Sequence, residues 1–169
     1  MKIYPLFFVL FMLSHTIIAQ NEESLAGQTK TIEANKLPTF RFFTATDSTL
    51  VTSSMLDQKK KVLFFYFSTK CPYCQEMTGE ILQKLEMLRD VQIVMVSGHR
   101  RASIIKYMDA LELKNKPIMV LKDDEKKMHS YFDYSAVPMI RMYDTQGKLI
   151  HRQEGRMTVS QIRDIFDKK

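Results

Sequence analysis

A chain of 169 residues with 45% hydrophobic and 26% charged residues has room for one globular domain and a tail, which excludes a disordered protein. Five Gly and five Pro exclude a low-complexity chain, and no repeat at solenoid periods is visible. The formal net charge of +6 is scattered or held in short runs beside expected turns (Lys59–Lys61, Lys126-Lys127), the pattern of a solvated surface and not of a nucleic-acid-binding face.

Met1-Lys2 places a positive charge before an almost wholly apolar run, Ile3–Ile18, which meets polar sequence after Ala19. Residues 1–19 therefore read as a secretory signal peptide with cleavage after Ala19. The competing reading is an uncleaved N-terminal anchor, for which the run is a little short, and membrane association is expected only in that case. No cysteine lies near Ala19, which excludes a lipoprotein anchor. The expected location is outside the cytosol, in the periplasm, where disulfides form and persist. Residues 20–37 are polar without sustained periodicity and are expected to form a flexible tail. Leu37-Pro38 marks the entry to a domain spanning 38–169.

Within that domain Phe40–Phe43 and Thr49–Thr52 read as two short strands joined by a polar turn. Val62–Phe67 is aromatic and β-branched with no polar alternation, the pattern of a central strand buried on both faces. Pro72–Leu88 is expected to be helical, with Cys74, Met77, Ile81, Leu85 and Leu88 on its inner face. Val91–Val96 is a second buried strand, and Ala102–Leu113 a helix with Ile105, Met108, Leu111 and Leu113 inward. Pro117–Leu121 reads as a third strand and Glu125–Tyr131 as a short helix or turn. Met139–Tyr143 follows Val137-Pro138 as a strand, Asp144–Lys148 is a hairpin turn, and Leu149–Arg152 is the return strand. Thr158 and Gln161 have capping-box spacing ahead of a last helix with Val159, Ile162, Ile165 and Phe166 on its apolar stripe. A helix between two strands implies a parallel pair, and the closing hairpin is antiparallel. The expected fold is α/β: a central mixed sheet flanked by helices, with two extra N-terminal strands.

The chemistry is concentrated in Cys71-Pro72-Tyr73-Cys74, which holds the only two cysteines of the chain. A Cys-x-x-Cys at a helix start puts both sulfurs within bonding reach while leaving the first exposed. The unpaired N–H groups and partial positive charge of the helix start favour the thiolate of Cys71, and Pro72 suits the first helical position. Lys70 adds a nearby positive charge. Cys74 points into the domain, as a resolving thiol should. Two other readings stand beside this one. A structural disulfide would close only a four-residue loop, which stabilises little. A zinc site lacks a second cysteine pair, but copper could be held by both cysteines with His99 or His151.

The run F-Y-F-S-T-K-C-P-Y-C ending at Cys74, the later V-P-M-I at Val137–Ile140, and the ending Y-D-T-Q-G-K-L-I-H-R-Q-E-G at Tyr143–Gly155 resemble thioredoxin-like proteins. The resemblance is nearest to exported TlpA/ResA-type (redoxin) thiol-disulfide oxidoreductases and covers about 38–166. It implies a thioredoxin-like fold, Cys71 as nucleophile, Cys74 as resolving thiol and Pro138 as a cis-proline beside the cysteines. In such proteins the backbone beside that proline, here with Val137, pairs with a bound substrate segment, and Pro72 and Tyr73 border the same surface. No cofactor is implied beyond the redox-active Cys71–Cys74 disulfide. The implied partners are thiols and disulfides of other exported proteins and a membrane or periplasmic electron donor.

The sequence also departs from that family's pattern. Strand Val62–Phe67 carries no acid, and Met77 and Gly79 stand where relatives place Glu and Pro, so the proton acceptor for Cys74 is open. Glu76 and His99 are candidates for tuning the thiols, with Lys70. Gly79 is expected to bend the helix in place of the proline, and Met139 to make the substrate groove adaptable. The expected function is exchange of disulfides with exported proteins, as a reductase by resemblance; the alternatives are a disulfide oxidase or isomerase, or a copper-binding metallochaperone using the same two cysteines.

Overall fold

The computed structural model describes residues 35–168; the expected signal peptide, and nearly all of the expected tail, lie outside them. In chain order the elements are β1 (Arg41–Thr44), β2 (Leu50–Thr52), β3 (Lys61–Tyr66), α1 (Pro72–Gln83), β4 (Val91–Ser97), α2 (Arg101–Ala110), β5 (Ile118–Lys122), α3 (Met128–Tyr131), β6 (Met139–Tyr143), β7 (Leu149–Glu154) and α4 (Val159–Asp167). The seven strands form one sheet in the order β2-β1-β5-β4-β3-β6-β7. β3, β4 and β5 run parallel, while β6 is antiparallel to both β3 and β7 and β1 is antiparallel to both β5 and β2. The mixed sheet with two added N-terminal strands is therefore the one the element order implies.

Period-two alternation divides the side chains of β3 between two cores. Leu63, Phe65 and Phe67 join Ile93, Met95, Ile140 and Met142 on one face, where α1, α2 and α4 pack through residues including Ile81, Ile104 and Phe166. Val62 and Phe64 join Val94, Val96 and Tyr143 on the other, closed by Phe40, Phe42 and Leu56 with Met128 and Phe132 at α3. Helices thus flank both faces, but unequally: three against one, a single helical turn against the other. Phe64 and Phe65 are both fully buried, one per face, and burial of such a side chain is worth about 1.5–3 kcal/mol.

Two details differ from the sequence pattern. The helix after the cysteines stops at Gln83, where the Lys84 N–H is shared between Glu80 O and Ile81 O, and the chain continues as a 3₁₀ turn, Leu85–Leu88. Tightening of a last turn to i→i+3 bonding is common, and it still delivers Leu88 to the core. α1 runs through Gly79 as unbroken helix, and a Cβ there would meet open space. In α2 the fully buried residue is Ile104 and not Ile105, because Tyr107 and Met108 set the inward face.

The chain enters this fold against the β6–β7 turn. Leu37 N–H donates to Gly147 O at 2.7 Å and Leu149 N–H to Asn35 O at 2.8 Å. Gly147 has φ 71°, a left-handed conformation suited to glycine.

Candidate active site

β3 leads through Phe67, whose N–H donates to Val96 O at 2.9 Å, into the loop Ser68–Lys70 and then α1. Cys71 is the N-cap of α1, with extended backbone (φ −87°, ψ 116°) and Pro72 directly after it. Its Sγ accepts a hydrogen bond from Cys74 N–H at 3.3 Å. One of the unpaired N–H groups of the helix start is thus aimed at sulfur, where negative charge would develop. Cys71 is partly exposed and Cys74 fully buried, and both are free thiols. On the far side of Cys71 lies the carbonyl of Val137, which the thiol approaches at 3.7 Å, and the Val137–Pro138 bond is cis. Two segments far apart in sequence meet at one sulfur because Tyr66, at the end of β3, pairs with Met139, at the start of β6.

Burial pushes the Cys74 thiol from its ordinary 9.0 up to about 12, helped by the hydrogen bond with Cys71 and opposed by the Ser68 backbone N–H. The Cys74 carbonyl is held from α2 and from its own helix. Thr78 Oγ1 donates to it at 2.8 Å, the Tyr107 hydroxyl lies 3.0 Å from it, and the two hydroxyls are 2.8 Å apart. Burial holds the Tyr107 phenol above its ordinary range. A buried, fully hydrogen-bonded anchor of this kind fixes the first turn of α1.

Residues 32–166 match the family model described as Redoxin. The chain belongs to the Redoxin family. Its fold is thioredoxin-like, as solved structures show. A thioredoxin-like protein from Aeropyrum pernix superposes with a TM-score of 0.66 at 11% identity, over 89% of this chain and 99% of that one. The thioredoxin domain of a thiol-disulfide oxidoreductase from Bacteroides vulgatus gives 0.65 at 18% identity, over 80% and 95%. StoA from Bacillus subtilis gives 0.60 at 14% identity, over 75% and 94%. No curated protein matches the chain. The redoxin is an oxidoreductase with a thioredoxin-like fold.

The structure brings some of the sequence candidates to the cysteines and leaves others apart. Pro72 and Tyr73 are exposed beside Cys71, Tyr73 at 61%. Val137 is half-buried and Pro138 is buried. Lys70 is exposed immediately before Cys71. Glu76 is an exception: it forms an ion pair with Arg156 at 3.5 Å and makes no contact with either thiol that would tune them. His99 does reach the site's edge, with Nδ1 2.7 Å from Thr69 Oγ1 and Nε2 3.3 Å from Ser68 Oγ. Both ring nitrogens are therefore engaged by the loop that precedes Cys71. His151 pairs with Met142 in the β6–β7 ladder, away from the cysteine end. Among the described residues no group of three or more His, Cys, Asp or Glu is arranged to hold a metal. Met139 is fully buried in the α3-side core and does not line a groove, because the β6 alternation turns it inward.

Other residues at the site carried no sequence signal. Thr78 and Tyr107 belong to no motif. Arg141, 6% exposed on β6, donates to Asp133 O and Ile140 O, both at 2.9 Å, and lies over the Phe132 ring. Glu154, the last residue of β7, receives hydrogen bonds from Ser135 and Ala136. These two side chains hold the segment leading to Val137.

Proposed function

We propose that this redoxin is exported and exchanges disulfides with cysteines of other exported proteins, as a reductase. Cys71 is the nucleophile. Its thiolate attacks one sulfur of a substrate disulfide; that bond breaks, a Cys71–substrate disulfide forms, and the departing thiolate takes a proton. Cys74 then gives up its proton and attacks Cys71 Sγ; the Cys71–substrate bond breaks, the second substrate sulfur leaves as a thiolate and takes up a proton, and the Cys71–Cys74 disulfide remains. The substrate gains two electrons and the protein loses two. The couple carries both electrons without a further cofactor, and a membrane or periplasmic dithiol donor restores the reduced form. Val137 and Pro138 offer backbone to an extended substrate segment, and Pro72 and Tyr73 border it.

The observation that carries this reading is the placement of Cys71 Sγ between the Cys74 N–H and the Val137 carbonyl, above a fully buried Cys74. The reductase direction is supported by the resemblance to exported TlpA/ResA-type proteins alone. Export is supported by the apolar N-terminal run. No helix among the described residues is long and apolar enough to cross a membrane.

Cys74→Ser tests the exchange. The variant should accumulate mixed disulfides through Cys71 with exported proteins, and an exported fraction with no trapped partner would sink the proposal. The reduction potential of the couple tests the direction: a value near about −270 mV fits a reductase, and one near about −120 mV an oxidase.

A further inference from the structure

The segment Asp133–Pro138 contains no strand or helix until β6 begins at Met139, yet it delivers the carbonyl that faces Cys71. Its hold comes from the end of β7. The Glu154 carboxylate accepts the Ser135 N–H through Oε1 and Oε2 at 3.2 and 3.1 Å, the Ser135 hydroxyl at 2.9 Å and the Ala136 N–H at 3.0 Å. Two successive N–H groups pointing at one anion make a small anion-binding concavity, here filled by a side chain of the same protein. The next residue grips the other side: Gly155 N–H donates to Pro138 O at 2.8 Å, from a left-handed φ of 88°. The pair Glu154-Gly155 therefore brackets Val137–Pro138, with the carboxylate before it and the glycine N–H after it. Register explains the reach, since Glu154 pairs with Met139.

We infer that Glu154 is a positioning residue for substrate binding, holding the backbone beside Val137 in the conformation that an incoming peptide disulfide must pair with. The inference rests on the reading of Cys71 and Cys74 as an exchange couple. Glu154 touches neither sulfur, and it acts through Ser135 and Ala136. The Ser135 hydroxyl first, then the two backbone N–H groups, hold its carboxyl below the ordinary range, so it is an anion at neutral pH. A neutral amide replaces it incompletely: its oxygen can stand where Oε2 does, but its NH₂ then faces the Ser135 N–H in place of Oε1, and the charge is lost.

Glu154→Gln tests this with a short peptide disulfide as substrate. The expected result is a rise of about tenfold in KM with kcat changed less than about threefold, the signature of lost substrate positioning. Amide exchange at Ser135 and Ala136 should quicken by a comparable factor of about ten as their acceptor is weakened. An unchanged KM in a folded, active variant overturns the inference, as does unchanged protection of those amides. A purely stabilising role would lower Tm and leave KM alone, and would overturn it equally. If Glu154→Gln does not fold, Ser135→Ala removes only the hydroxyl donor and should raise KM about threefold; no rise overturns the inference. Wild-type protein that exchanges no disulfide at all sinks the parent reading, a result distinguishable from active wild type with an indifferent variant.

Discussion

Cys71 is held by atoms close to it in the chain: the Ser68 carbonyl behind it, Pro72 after it and the Cys74 N–H one turn on. Val137, facing it, is held by Glu154, Gly155 and Arg141, which sit on or beyond the next two strands. The cysteine half of the site is therefore a local construction that forms wherever this strand-loop-helix forms. The proline half is a tertiary construction that needs the whole β6–β7 hairpin in register. Substitutions near the cysteines should change sulfur chemistry, and substitutions on the hairpin should change what the sulfur is offered.

The largest effect should be seen at Cys74. With its folded value pushed up to about 12, it carries about a thousandfold less thiolate than an ordinary thiol, so alkylation of the reduced protein should mark Cys71 and spare Cys74 at neutral pH. The same shift links to stability. Between the ordinary value of 9.0 and about 12 the unfolded chain gives up this proton first, so the unfolded state binds fewer protons and stability falls as pH rises through that window. Denaturant titrations of the reduced protein between those pH values would show the decline, and a flat profile would mean that Cys74 is not set apart by burial. Next, Thr78→Val removes a hydroxyl donor to the Cys74 carbonyl and leaves Tyr107 with one partner fewer. A loss of about 1–2 kcal/mol in unfolding free energy is expected. Substrate KM should stay put, because the change lies on the cysteine half. The smallest effect is expected for His99→Gln, which loosens Ser68 and Thr69 without touching sulfur. The rate of Cys71 alkylation should shift by about two- to fivefold, with little change in Tm; an unaltered rate would reduce His99 to an ordinary loop residue.

What could be read from the sequence follows the same division. Val62–Phe67 announced a doubly buried strand because four consecutive residues, Val62–Phe65, are buried. The helix start at Cys71, the capping box at Thr158 and Gln161, and the bounds of β6 were equally legible, being short-range patterns with a fixed chemical meaning. Pro138 was reached through family likeness and not through local pattern. Arg141 and Glu154 could not be found that way. An arginine inside an apolar strand and a glutamate at a strand end look like any exposed charge until the strand that faces each loop is known. Tyr107 stayed invisible for the same reason, since its partners Thr78 and Cys74 lie on a different helix. The inward face of α2 was misjudged by one residue because that helix meets α1 through a hydroxyl pair as well as through apolar contacts.

The strap of Asn35–Leu37 along the β6–β7 turn sets where the molecule can be held. Val62 pairs with Tyr143 and Tyr66 with Met139, so that turn and the cysteines occupy opposite poles of the sheet, separated by about 13 Å of strand. A linkage engineered at Asn35 itself would therefore hold the protein by the pole opposite the reactive sulfur and leave the Cys71 end free.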